Sequence, residues 1–210
     1  MRGMNARGFQ DLVFMNGLFF DRIMPNIGNL HLDFGCGDGK GSLVQAKFCK
    51  NSFVIGYDSD LEKIQLANKE QKVSSLTNVS FQDSLREFIF GYSDENSECQ
   101  YANIFDSATA NFVFHENPLI IKEIHPYLKR DGKIIVLDYN LKGISKREFY
   151  KKFCLDNERK IMKLEGFDEC YKKHTKFDIT DCIGFGNSAR FNTINTALSE
   201  KYFLWVGQKN

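Results

Sequence analysis

The stretch Leu30-His31-Leu32-Asp33-Phe34-Gly35-Cys36-Gly37-Asp38-Gly39-Lys40-Gly41 runs an apolar strand directly into a glycine-dense turn and then a helical period. Glycine at 35 and 37 permits backbone torsions closed to other residues and leaves the main chain open to a ligand. In an open α/β sheet, ligands bind beyond the carboxyl ends of the strands, where the winding reverses. The dinucleotide fingerprint G-x-G-x-x-G does not fit. From Gly35 it needs glycine where Lys40 stands, and from Gly37 it needs glycine where Ser42 stands. Asp33 and Asp38 would repel a pyrophosphate, but they suit a ligand carrying an ammonium and a sulfonium. Charge therefore favours an aminoacyl sulfonium over a dinucleotide.

Such a turn needs a sheet to hold it, and the periodicity supplies one. Short apolar, β-branched runs fall at Leu30–Phe34, Phe53–Tyr57, Val79–Gln82, Ile104–Phe112 and Lys133–Tyr139. Helical spacing fills Ser42–Cys49, Asp60–Lys72, Ser84–Phe90 and Asn117–Leu128 between them. Strand and helix alternating in this way predict an α/β fold, a parallel sheet covered on both faces. Asp60 is placed to cap the helix beginning at Leu61, and Asp131-Gly132 to turn into the fifth strand.

Beyond Asn140 the pattern changes. Ser145–Glu165 reads as a long charged helix, Phe167–Lys176 as a strand and Tyr202–Gly207 as a last apolar strand. Phe177–Ser199 is polar and has no clear period. At the other end Ala6–Met24 is helix-compatible, and Pro25-Asn26-Ile27-Gly28 stops it, so residues 1–28 are expected to form a cap helix. No repeat or linker divides the 210 residues, and one domain is the expectation.

Composition excludes several classes. The chain is 42% hydrophobic and 26% charged, which is globular, and its net charge of +1 announces no nucleic-acid partner, although a local basic patch would still serve one. Six scattered cysteines without a C-x-x-C pair form neither a zinc site nor a disulfide framework, so no metal is expected. The apolar stretch Leu12–Phe20 is too short to span a bilayer, and no secretory signal is visible, so the expected setting is the cytoplasm.

Five landmarks in order now carry a resemblance. Asp33–Gly39, Val54–Ser59, Phe81–Ser84, Phe105–Glu116 and Leu128–Lys133 resemble the successive motifs of the class I methyltransferases that use S-adenosylmethionine (SAM), especially their small-molecule branch. The resemblance covers roughly residues 29–140. It implies a Rossmann-like, seven-stranded, mostly parallel sheet with an antiparallel last strand, strand six being parallel. It also implies roles. Gly35 and Gly37 would pass close to the methionine portion of SAM, and Asp33 would orient the turn. Asp58 would accept both ribose hydroxyls, Asp83 the adenine amino group, and the Ser84 backbone would read a ring nitrogen. Ala110 and Asn111 would lie near the sulfonium. Cys36 and Ser59 complete the cofactor-binding set, with Cys36 a small filler and no nucleophile.

Two carboxylates keep a plainer alternative, since Asp58 or Asp83 could merely cap the helix that follows it. His115 follows strand four and is the candidate general base; the other reading has it packing the next helix. Asp138 and Tyr139 end strand five at the same edge. By the family's topology, 177–199 would emerge over the SAM edge as a lid, and the phenylalanines there and in the cap helix would give it an apolar lining. No Asn/Asp-Pro-Pro-Tyr motif follows strand four, which lowers methylation of nucleic-acid bases. The function expected is methyl transfer to a small molecule, leaving S-adenosylhomocysteine (SAH). The alternatives are an RNA or protein acceptor, or a non-catalytic SAM-binding partner subunit. Oligomeric state is not encoded in any motif.

Overall fold

The computed structural model describes residues 19–85, 103–114, 116–140, 142, 145, 172, 176–198 and 202–210. Seven strands, β1 (Leu30–Phe34), β2 (Phe53–Tyr57), β3 (Val79–Gln82), β4 (Phe105–Asn111), β5 (Leu128–Tyr139), β6 (Phe191–Leu198) and β7 (Tyr202–Lys209), form one sheet. Its order is β3-β2-β1-β4-β5-β7-β6. The first five strands pair in parallel, and β7 runs antiparallel to both β5 and β6. The winding reverses between β1 and β4, so the carboxyl end of β1 lies at the switch point.

Helices α1 (Lys40–Phe48) and α2 (Leu61–Ser74) cover one face, and α3 (Ile120–Ile124) and α4 (Ile179–Ser188) the other. On the α1 face, Ala46, Ile64 and Ala67 pack on Val54, Val79 and Phe81, all buried. Further along that face Ile23 closes over Ile135, Leu137, Leu204 and Val206. The opposite face holds the larger core, where Leu32, Ala108, Ala110, Val136 and Trp205 meet Ile120, Ile121, Ile124 and Cys182. Central strands buried on both faces explain the unbroken apolar runs at 134–137 and 203–206.

Three local expectations change. The helix expected over Asn117–Leu128 is only Ile120–Ile124, followed by a 3-10 turn at His125–Tyr127. Pro126 lacks the N–H that would continue it. The expected turn at Asp131-Gly132 lies inside the longer β5, where pairing jumps from Phe105↔Leu128 to Ser107↔Lys133 and Asp131 adopts φ +63°. The strands are thus joined through a bulge.

The largest change is at Phe177–Ser199. It supplies α4, whose Asp178 and Asp181 form a reciprocal capping box, and then β6 at the sheet edge. Among the described residues the sixth strand is Phe191–Leu198, so 177–198 is framework where a lid was expected over 177–199. The long helix expected over Ser145–Glu165 lies outside the described residues, as does most of Phe167–Lys176 and of the expected N-terminal cap helix. That helix is described only from Phe19, as a π-helical turn at Phe19–Ile23 and a 3-10 turn at Met24–Asn26.

The α4 packing can be tested directly. A Cβ at Gly186 would stand 2.3 Å from Cζ2 of Trp205, a ring with no exposed surface. Gly186→Ala is expected to lower stability by about 1–3 kcal/mol in urea unfolding. An unchanged midpoint would mean that α4 does not lie against Trp205.

Candidate functional site

The glycine turn is tied down from the β2 side. Gly35 and Cys36 both donate their N–H to the Tyr57 carbonyl, at 2.7 and 2.9 Å. Gly37 N–H then donates to Oδ2 of Asp58 at 2.9 Å, while Asp60 N–H donates to Oδ1 at 3.0 Å. The half-buried Asp58 carboxylate thus bridges the turn to the next corner, and each oxygen keeps a lone pair for a ligand. Its reading as a mere helix cap fails, because Asp60 does that work, accepting from Glu62 N–H and Lys63 N–H.

Gly35 and Gly37 have φ of +73° and +57°, the left-handed region that only glycine enters freely. They differ in surroundings. A Cβ on Gly35 would come 2.5 Å from Cγ2 of Val113, so the turn is pressed against the end of β4. A Cβ on Gly37 would meet nothing within 4 Å, so its main chain faces open space. Val113 follows Phe112, a bulky residue held at φ +58°, and this strain lies at the sheet edge beside the turn.

Beneath the turn lies a buried polar cluster that the motifs do not announce. The β1–β4 register sets His31 opposite Ser107 and Asp33 opposite Thr109, with Ser42 and Gln45 of α1 above them. Asp33 Oδ2 accepts from Ser42 Oγ at 2.5 Å, and Oδ1 from Thr109 Oγ1 at 2.7 Å. Thr109 Oγ1 also lies 3.1 Å from His31 Nε2 and 3.2 Å from Gln45 Nε2. At the far end His31 Nδ1 meets Ser107 Oγ at 2.7 Å, and that oxygen accepts Gly28 N–H at 2.7 Å. All six side chains are buried. Burial pushes the Asp33 carboxyl above its usual range, against the hydrogen bonds of Ser42, Thr109 and Gln45. It also pushes His31 from 6.5 down to about 3, so the imidazole is neutral. The sequence signal for this cluster was polar residues at i and i+2 in two otherwise apolar strands, at 31 and 33 and again at 107 and 109.

The remaining expected residues divide. Cys36 is half-buried, and burial with the nearby Asp33 and Asp58 charges drives its thiol pKa up, which suits a filler and not a nucleophile. Ser59 is exposed beside Asp58. Ala110 lies within β4, wholly in the core of the opposite face, so its side chain is closed to a ligand. Asn111 ends β4, and its Oδ1 is buried without a partner among the described residues. Asp83 is exposed and Ser84 half-buried at a cleft of about 510 Å³ that Phe34, Tyr57, Glu123 and Tyr127 also line. Asp138 is buried and Tyr139 half-buried at the end of β5. His115 lies outside the described residues.

A doubly wound sheet with a glycine turn and an acid-ended second strand at its switch point defines an architecture, and comparison supplies its relatives. A SAM-dependent methyltransferase from Methanosarcina mazei superposes with TM-score 0.62 at 22% identity, covering 89% of this chain and 96% of its own. Magnesium protoporphyrin IX methyltransferase from Synechocystis PCC 6803, solved with SAH, gives 0.62 at 15% identity over 100% and 90%. The [4+2]-cyclase SpnF gives 0.65 at 15% identity over 99% and 83%. These likenesses establish the fold. A search of curated proteins returns no match. The family model described as the methyltransferase domain matches residues 28–181, and the chain belongs to that family, the SAM-dependent methyltransferases.

His31 generates a pH prediction. An unfolded chain takes up its proton near 6.5 and the fold only near 3, so stability falls as pH drops between those values. Its contribution to the slope reaches about 1.4 kcal/mol per pH unit. Urea midpoints measured across that window should decline more steeply for the wild type than for His31→Gln. Parallel curves would mean that the folded protein already carries the imidazolium.

Proposed function

We propose that the chain binds SAM along Asp33–Gly39 and Asp58 and transfers its methyl group to a small-molecule acceptor. The observation that carries this reading is the Gly37–Asp58 pair, a backbone facing open space beside a carboxylate with free lone pairs. Other features of the edge suit the same ligand. Asn111 Oδ1 is a buried acceptor able to take a donor such as the ammonium. Asp83 at the end of β3 stands where the adenine would extend from a ribose held by Asp58.

When bound, SAM supplies a methyl group on a sulfonium, a donor already activated, so the protein's task is to place the acceptor. On the far side of the turn Phe112, Tyr139 and Tyr202 gather half-buried rings with centroids 5.1, 5.8 and 5.9 Å apart. That apolar wall at the ends of β4, β5 and β7 favours a small molecule over a polyanion. The Synechocystis relative, which is named for its porphyrin, accords with this choice. His115, one residue beyond Phe114, is the group proposed to take a proton where the acceptor must lose one. A cytoplasmic, single-domain enzyme completes the reading.

Calorimetric titration with SAH, NAD⁺ and NADP⁺ tests it. SAH alone should bind, and Asp58→Ala should weaken it about a hundredfold through the lost charged hydrogen bonds. Preference for a nicotinamide, or binding indifferent to Asp58, would overturn the assignment. Gly37→Ala separates space from scaffold. Its methyl enters the open side, so SAH affinity should fall at least about tenfold while stability drops only about 1–2 kcal/mol from the left-handed torsion. Equal SAH affinity in that variant would place the ligand elsewhere.

A further inference from the structure

Helices α1 and α2 carry their larger apolar side chains on the wrong side. On α1 the buried residues are Ser42, Gln45 and Ala46, and on α2 only Ile64 and Ala67. Val44 of α1 is 41% exposed, and Leu66 and Val73 of α2 are 50% and 83% exposed. A surface helix ordinarily keeps such residues for its inner stripe.

The same surface is basic toward one end. Residues 44–53 and 66–76 carry Lys47, Lys50, Lys69 and Lys72 against a single acid, Glu70. All four lysines are exposed, and none forms an ion pair among the described residues. The charge of Glu70 is felt at Lys40, at the opposite end of α1. These stretches meet at the edge of the sheet where the parallel strands begin. Asn78, just before β3, donates from Nδ2 to the Ala46 carbonyl at 2.9 Å and to the Ser52 carbonyl at 3.0 Å. That ties the last turn of α1 to the starts of β2 and β3, and Phe53, the first residue of β2, is 39% exposed there. The acids Asp38, Asp58, Asp60 and Asp83 follow the other ends of β1, β2 and β3. A net charge of +1 therefore hides two ends of opposite sign.

We propose that this corner is a docking surface for a membrane carrying anionic lipid, with the four lysines on the headgroups and Val73 and Phe53 in the boundary beneath them. Charge complementarity sets the sign of the partner, and the aliphatic side chains set its kind. Nucleic-acid phosphates would also meet the lysines, but Val44, Leu66 and Val73 have no ring on which a base could stack. A bilayer boundary takes in protruding apolar side chains of any shape. The corner also lies about 16 Å, the length of a five-residue strand, from the glycine turn. A polyanion bound there is out of reach of the turn. A membrane need only hold the protein, and the turn then stays open to solution.

Vesicle sedimentation at about 0.1 M salt tests the assignment. The purified chain should sediment with phosphatidylcholine vesicles containing about one-third phosphatidylserine, and not with phosphatidylcholine alone. Lys47→Ala with Lys72→Ala should weaken binding about twenty-five-fold, about fivefold for each lysine, while Lys47→Arg with Lys72→Arg should keep it. Val73→Ser changes an exposed side chain, so the fold should survive while vesicle binding weakens about tenfold. A fluorescent single-stranded RNA is the competing probe. RNA binding with the same lysine dependence and no response to Val73→Ser would overturn the membrane assignment. So would vesicle binding indifferent to phosphatidylserine or to the lysine pair, and so would no vesicle binding at all.

Discussion

A carboxylate buried away from water is stable only when each oxygen is met by a donor, and that requirement at Asp33 fixes much of what surrounds it. The donors come from two elements, Ser42 on α1 and Thr109 on β4, so helix and strand must hold a fixed relation to β1. Gly56 opposite Asp33 makes room, since a Cβ there would come 3.0 Å from Ser42 Oγ and 2.5 Å from the Phe81 ring. A one-residue slip of β4 would turn Thr109 and Ser107 to the other face and leave Asp33 and His31 without partners. The polar cluster is thus a register lock between two apolar clusters, one under α2 and one under Ile23.

The same switch point is clamped from both flanks. On the β2 side the Tyr57 carbonyl and Asp58 carboxylate take three consecutive N–H groups of the turn. On the β4 side Val113, delivered by the strained Phe112, closes against Gly35. Only Gly37 is left facing outward. A turn held this way has little conformational freedom left to lose, which is the physical content of preorganisation for a ligand that must lie along its backbone.

How much of this was legible in the sequence depended on periodicity. Strands β1, β2 and β3 were read to the residue because apolar runs end sharply at Gly35, Asp58 and Asp83. The Asp60 cap was read from its position before Leu61. Where two signals competed the reading failed: an apolar run carried the helix through Pro126, and the Asp131-Gly132 turn signal hid a bulge. The 177–199 segment misled for a different reason. Its acids form the capping box of α4, and β6 is an edge strand whose period of two is broken by the register shift between Thr193 and Asn195. In the site, Asp33 and Gly37 were legible from the glycine-dense turn and Asp58 from the resemblance, while His31, Ser107 and Thr109 were not. Their meaning lies in which strands become neighbours, and β1 and β4 stand some seventy residues apart.

The acid beneath the turn separates this site from the dinucleotide sites of similar sheets. In a dinucleotide site the first helix offers its N-terminus, worth about half a positive charge, to a pyrophosphate. Here that end of α1 already has the buried Asp33 carboxylate beneath it, and Asp38 stands at the turn with its charge paired to Lys40. The side chain of Ser42 in the first turn of that helix is already spent on the protein's own buried acid. The fold alone would not decide this, since one structural neighbour is named as a cyclase and others as methyltransferases. What sets this chain apart is the acid that sits under the turn, with a hydroxyl from α1 on one oxygen and a hydroxyl from β4 on the other.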